Sequence, residues 1–263
     1  MEKRYKLLTF FILFFIYSHF FEPHYQFVRI ESFCTTMLIY MFYVKIVLAF
    51  DHKDVNHQFN NFLCNNIFKT NIEVKNKVPN LTKPHVIMAN HYNATDLTII
   101  KKALGLHMIT IAKSDLVTSE FTFLPVLNHL QKTVFDVFYI IPYIRGDKKS
   151  GSDVKNKILK SIRDGNHVLI FPEGTTHRNG IPKMFKNGIF HLCHDHDIPI
   201  LPVTIKFDKD IGLEREDTFQ IRDVFDTNVS VYIHSVDSKQ ESMEELRDKT
   251  FNKIISPFQS KEN

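Results

Sequence analysis

The stretch "HVIMANHYNATDLTII", residues 85–100, decides how the chain is read. Residues 85–89 are mostly apolar and have the length of a buried strand. The polar run from Asn90 ends that strand. Asn93 then stands where a helix carrying "LTII" (97–100) needs an N-cap, with Asp96 at its third position. A strand that hands over to a helix at a polar corner is the repeating unit of an α/β domain.

The same alternation continues outward. Strand-like runs are "HMITIA" (107–112), "VFYIIPYI" (137–144), "HVLIF" (167–171), "PILPVTI" (199–205) and "VSVYIHSV" (229–236). Between and after them lie helical stripes. Val154, Ile158, Leu159 and Ile162 share one face of residues 153–163, and "DGN" (164–166) stops that helix. Met243, Leu246, Phe251, Ile254 and Ile255 mark another over 241–257. The expected fold is α/β, a largely parallel mixed sheet flanked by helices. Functional residues belong where its strands hand over to helices.

At the corner in 85–100, His91 and Asp96 admit two readings. Asp96 can be a capping acid and His91 a corner histidine satisfied by backbone. Alternatively, His91 is a general base and Asp96 the carboxylate that fixes its tautomer and stabilises the imidazolium. A five-residue offset does not align side chains on a regular helix, yet it can do so across a strand end and a first helical turn. The nucleophile would then come from a substrate, and no G-x-S-x-G elbow occurs in the chain. A second polar corner, "LIFPEGTTHRNG" (169–180), runs from a buried strand into Glu173, Gly174 and Thr175, with Arg178 and Lys183 following.

Residues 7–21 and 32–50 are apolar, the second interrupted only by Lys45. Fifteen helical residues rise about 22 Å, short of a ~30 Å hydrocarbon core. Neither run has a polar face, and no small-residue cleavage site follows the first. The expected arrangement is a membrane-embedded two-helix hairpin over 1–50, followed by a catalytic domain over 51–263. Lys3, Arg4 and Lys6 favour the cytoplasmic face for the N-terminus and, after a hairpin, for the domain.

A formal charge of +4 favours anionic partners such as phosphate esters, acidic lipid or coenzyme A; it is too small to argue for nucleic acid. Cys34, Cys64 and Cys193 show no paired spacing, which fits reduced thiols. The run "HLCHDHD" (191–197) matches no common metal-ligand pattern and reads as a helix end and loop.

Taken in order, "NHYNATD" (90–96), the Arg145 that closes "IPYIRGD", "FPEGT" (171–175) and "IPILPVTI" (198–205) resemble the four motifs of the glycerolipid acyltransferase family, which includes lysophosphatidic acid acyltransferases. "FKNGIFHL" (185–192) is similar to that family's helix after the third motif. The resemblance covers about residues 84–206. It implies that His91 and Asp96 are catalytic. Lys113, Arg145, Glu173, Gly174, Thr175 and Arg178 would be substrate- or phosphate-binding residues, with backbone N–H groups of the 173–175 turn as oxyanion donors. Acyl-CoA would be a co-substrate and a lysophospholipid the acceptor, at a lipid bilayer, with neither metal nor tightly held cofactor. The sequence departs from the family where an arginine usually follows Glu-Gly-Thr; here the residue is Thr176, with Arg178 two places on. That leaves the acceptor open among lysophosphatidic acid, glycerol 3-phosphate and other lysophospholipids. A hydrolase and an idle lipid-binding protein on the same fold are the rival classes.

Overall fold

The computed structural model describes residues 60–93, 95–113, 139–144, 146–176, 182–208, 226–238 and 240–259. The expected hairpin over residues 1–50 lies outside the described residues. Among those described, no helix is long and apolar enough to cross a membrane.

The elements in chain order are β1 (Asn71–Lys75), β2 (Val86–Ala89), α1 (Asp96–Leu104), β3 (Met108–Lys113), β4 (Ile140–Tyr143), α2 (Lys148–Arg163), β5 (His167–Ile170), α3 (Asn187–Asp195), β6 (Ile200–Phe207), β7 (Asn228–Ile233) and α4 (Met243–Gln259). A short π-helical turn, Leu63–Ile67, precedes β1. The strands form a seven-stranded sheet in the order β1-β7-β6-β2-β5-β3-β4. Every neighbouring pair is parallel except β6 with β7. The largely parallel sheet expected from the sequence is therefore present.

The central strands of the sheet are buried on both faces, as parallel strands are. On β2 the alternation is direct. Val86 and Met88 join one core with Val168 and Ile170 of β5, Phe190 of α3 and Leu246 of α4. Ile87 and Ala89 join the other with Ile99 and Ile100 of α1. Ile87 has no exposed surface, and its truncation to Ala would cost about 2–5 kcal/mol.

This two-sided packing sets where a site can form. The chain leaves β2 through α1 on one face, and leaves β5 through α3 on the other. Strands β2 and β5 are neighbours. Their carboxyl ends are therefore a switch point, where the two crossovers part and leave a crevice.

Local chemistry fits the elements. Asp147 caps α2 by accepting the Lys149 N–H at 2.9 Å. Gly165 ends that helix at φ 85°, a conformation open to glycine at little cost. Helix α4 is pinned to the sheet by polar contacts: Thr204 Oγ1 donates to the Ile254 carbonyl and contacts His234 Nε2, both at 2.8 Å. Buried Asp237 accepts from Thr250 Oγ1 and Lys253 Nζ.

Candidate active site

The register Met88↔Ile170 carries His91 and Glu173 side by side just beyond the strand ends. Ladder bonding stops there, and a side chain takes over. Glu173 Oε1 accepts the His91 N–H at 2.8 Å, and Oε2 accepts the Lys183 N–H at 3.0 Å. The carboxylate thus ties the first polar corner to the loop after the second. Glu173 is buried, and burial pushes its carboxyl up to about 7, against the pull of the Lys183 and His91 amides.

Asp96 Oδ2 gathers three donors: His91 Nδ1 at 2.8 Å, the Tyr92 N–H at 2.6 Å and the Asn93 N–H at 2.9 Å. The Asp96 oxygen is the acceptor, so Nδ1 carries a ring hydrogen in this pairing. Phe171 stacks on the imidazole, with centroids 4.1 Å apart and planes 14° apart. The His91 side chain is 20% exposed, and that of Asp96 is 0% exposed. The imidazole can be reached from outside; the carboxylate beside it cannot. Asp96 binds both the corner's backbone and the imidazole.

The helix start differs from expectation. Asp96 opens α1, and Thr95 holds the cap position. Asn93 Oδ1 accepts from the Thr95 N–H and hydroxyl, at 2.8 and 2.6 Å, as an Asx turn that starts two residues before the cap. The reach of Asp96 back to the Asn93 N–H survives.

At the second corner, Gly174 sits at φ 69°, and its N–H bonds the Phe171 carbonyl at 3.1 Å. Of the 173–175 amides expected as oxyanion donors, that of Gly174 is used within the turn. Thr175 and Thr176 are exposed. Glu173 fastens two backbone amides, those of His91 and Lys183. Lys113 ends β3; its side chain, Arg145 and Arg178 lie outside the described residues. The "HLCHDHD" run spans the end of α3, where Cys193 is buried. Among the described residues no group of three or more His, Cys, Asp or Glu is placed to hold a metal ion.

Three contributors escaped the sequence reading. Asn90 clasps the Ile205 backbone, Phe171 stacks on the imidazole, and Lys186 lies across Gly174. For Asn90 a signal existed, since a side-chain amide at a strand's last step can replace a ladder bond.

The profile of the Acyltransferase family matches residues 69–206, more than half of the chain, and the protein belongs to that family. The 1-acyl-sn-glycerol-3-phosphate acyltransferase of Borreliella burgdorferi is 31% identical over 150 residues, 57% of this chain and 53% of that protein. The alpha form of that enzyme from Ovis aries is 30% identical over 140 residues, 52% and 45% of the two chains. The chain spans about half the length of the curated relatives it matches. The crystal structure of the 1-acyl-sn-glycerophosphate acyltransferase PlsC from Thermotoga maritima shares the fold, with a TM-score of 0.58, 16% identity and coverage of 100% of this chain and 99% of that one.

Proposed function

We propose that the protein transfers an acyl group from acyl-CoA to the free hydroxyl of lysophosphatidic acid, giving phosphatidic acid. The observation that carries the reading is the 2.8 Å contact between a reachable His91 and a buried Asp96 at the switch point of the sheet. The names of the relatives supply the substrate class.

In this mechanism His91 Nε2 takes the hydroxyl proton as the alcohol oxygen attacks the thioester carbonyl. Asp96 holds the ring and stabilises the imidazolium. The tetrahedral intermediate collapses with cleavage of the carbon–sulfur bond, and the proton passes to the departing thiolate. The Thr175 N–H is the candidate oxyanion donor left by the turn, since the Gly174 amide is used. Lys113, Arg145 and Arg178 remain candidates for substrate phosphates. The apolar hairpin over 1–50 would hold the domain against the cytoplasmic leaflet, where both substrates keep their acyl chains in lipid.

Thr176 favours keeping a second reading, in which the acceptor is another lysophospholipid or glycerol 3-phosphate. Purified full-length chain with labelled acyl-CoA and a panel of these acceptors tests both. Label in phosphatidic acid supports the first, label in another product supports the second, and release of free fatty acid alone refutes acyl transfer.

A further inference from the structure

We propose that Asn93 Nδ2 and Asp96 Oδ1 hold one internal water between them, and that this bridge makes Asn93 a positioning residue for the His91–Asp96 pair. The water site stands on geometry; its effect on turnover rests on the acyl-transfer reading.

The first observation is an imbalance within one carboxylate. Asp96 Oδ2 accepts from His91 Nδ1 and from the Tyr92 and Asn93 N–H groups. The other oxygen, Oδ1, is buried and makes no hydrogen bond among the described residues. The Asp96 side chain has no exposed surface. Bare oxygens are costly in such a setting, and native structures satisfy nearly all of them with protein or with ordered water.

The second observation is a complementary donor close by. Asn93 Nδ2 is also buried without a hydrogen bond among the described residues, in a residue only 4% exposed. Two backbone contacts close Asn93 and Asp96 on each other. Asp96 Oδ2 accepts the Asn93 N–H at 2.9 Å, and the Asn93 carbonyl accepts the Asp96 N–H at 3.3 Å. The corner therefore holds one spare acceptor and one spare donor.

The third observation is that the amide cannot turn to meet the acid. Asn93 Oδ1 accepts both the N–H and the hydroxyl of Thr95. Exchanging oxygen and nitrogen would set the amide's donors against the Thr95 N–H. Swinging Nδ2 toward Asp96 would give up both bonds. What fits between them must accept from an amide, donate to a carboxylate and be small enough for an enclosed corner. Water meets all three conditions.

The bridge has a consequence for the base. A carboxylate held at Oδ2 alone can rock about its Cβ–Cγ bond and carry the imidazole with it. Held at both oxygens, it fixes the direction of the Nδ1 bond to His91. Asn93 touches no reacting atom and acts through Asp96.

The test has two arms. A crystal structure of the full-length protein, at a resolution that shows ordered water, is expected to place one water within about 3.2 Å of both Asn93 Nδ2 and Asp96 Oδ1. Direct contact between those two atoms, or a dry corner, overturns the proposal. This arm needs no substrate, so it judges the site even where the acyl-transfer reading fails. The second arm compares Asn93→Leu with Asn93→Ala. Neither variant can receive the Thr95 bonds. Leucine has the shape of asparagine and shuts water out, whereas alanine leaves room for water to reach Asp96 Oδ1. The expected kcat of acyl transfer is lower in Asn93→Leu than in Asn93→Ala by about tenfold or more, with KM in both within about twofold of the wild type. An Asn93→Leu kcat equal to or above that of Asn93→Ala, or losses that appear in KM or Tm alone, would reduce Asn93 to a turn residue and overturn the positioning role.

Discussion

Asn90 holds the backbone of Ile205 in both directions: its Nδ2 donates to the Ile205 carbonyl and its Oδ1 accepts the Ile205 N–H, each at 2.8 Å. The β2 and β6 ladder ends at Ala89↔Val203. One step further, the side-chain amide of Asn90 does what a peptide group would have done. The main chain is freed to turn, and His91 leaves the sheet with its position fixed from behind.

Asn90→Ala strands both Ile205 groups in a buried setting, at an expected cost of about 2–4 kcal/mol. Asn90→Asp is expected to cost at least as much, because it sets an oxygen against the Ile205 carbonyl. Denaturant unfolding of the variants measures both. A change below about 0.5 kcal/mol would show that the clasp contributes little.

The pH dependence of stability follows from two groups with opposite signs. Burial raises Glu173 from 4.5 to about 7. Its contribution is fully present below about 4.5 and is lost as pH rises through 7, on the order of 3 kcal/mol. Burial lowers His234 from 6.5 to about 4. Its contribution is present above 6.5 and is lost as pH falls through 4. The two oppose each other between pH 4.5 and 6.5. Glu173→Gln should therefore make stability rise more steeply with pH over that window than in the wild type. Thermal melts across pH 4.5–7 report the slope, and parallel curves for the two proteins would contradict the assignment.

Much of this architecture was legible in the sequence. Each expected strand between 85 and 236 has a counterpart, because fully buried parallel strands need unbroken apolar runs such as "HVIM" and "HVLI". The edge strand β1, "NIEVK", was missed: it is mostly exposed and carries charge, so no apolar period marks it. The pairing of His91 with Asp96 could be foreseen as geometry at a corner. Its supports could not, because Glu173, Phe171 and Ile205 reach it through strand order, which a single sequence does not encode locally. Chain order separates Asn90 from Ile205 by 115 residues; the sheet makes them neighbours.

Phe171 supplies a flat wall for the imidazole. Such stacking is worth about 0.5–1.5 kcal/mol, so Phe171→Ala should lower kcat by up to roughly tenfold. Phe171→Tyr, which keeps the ring, should stay near the wild type. Steady-state kinetics of both variants decide it, and equal losses would mean that stacking is not what the ring contributes.

The most direct test is the rate of acyl transfer to lysophosphatidic acid by His91→Ala and Asp96→Asn, each melted in parallel with the wild type. An asparagine oxygen can still accept from the Tyr92 and Asn93 amides, while the charge that steadies the imidazolium is gone. Both variants are expected to stay folded and to lose about 10²–10⁴-fold in kcat. Wild-type turnover by either folded variant would contradict the assignment of His91 as the base and Asp96 as its partner.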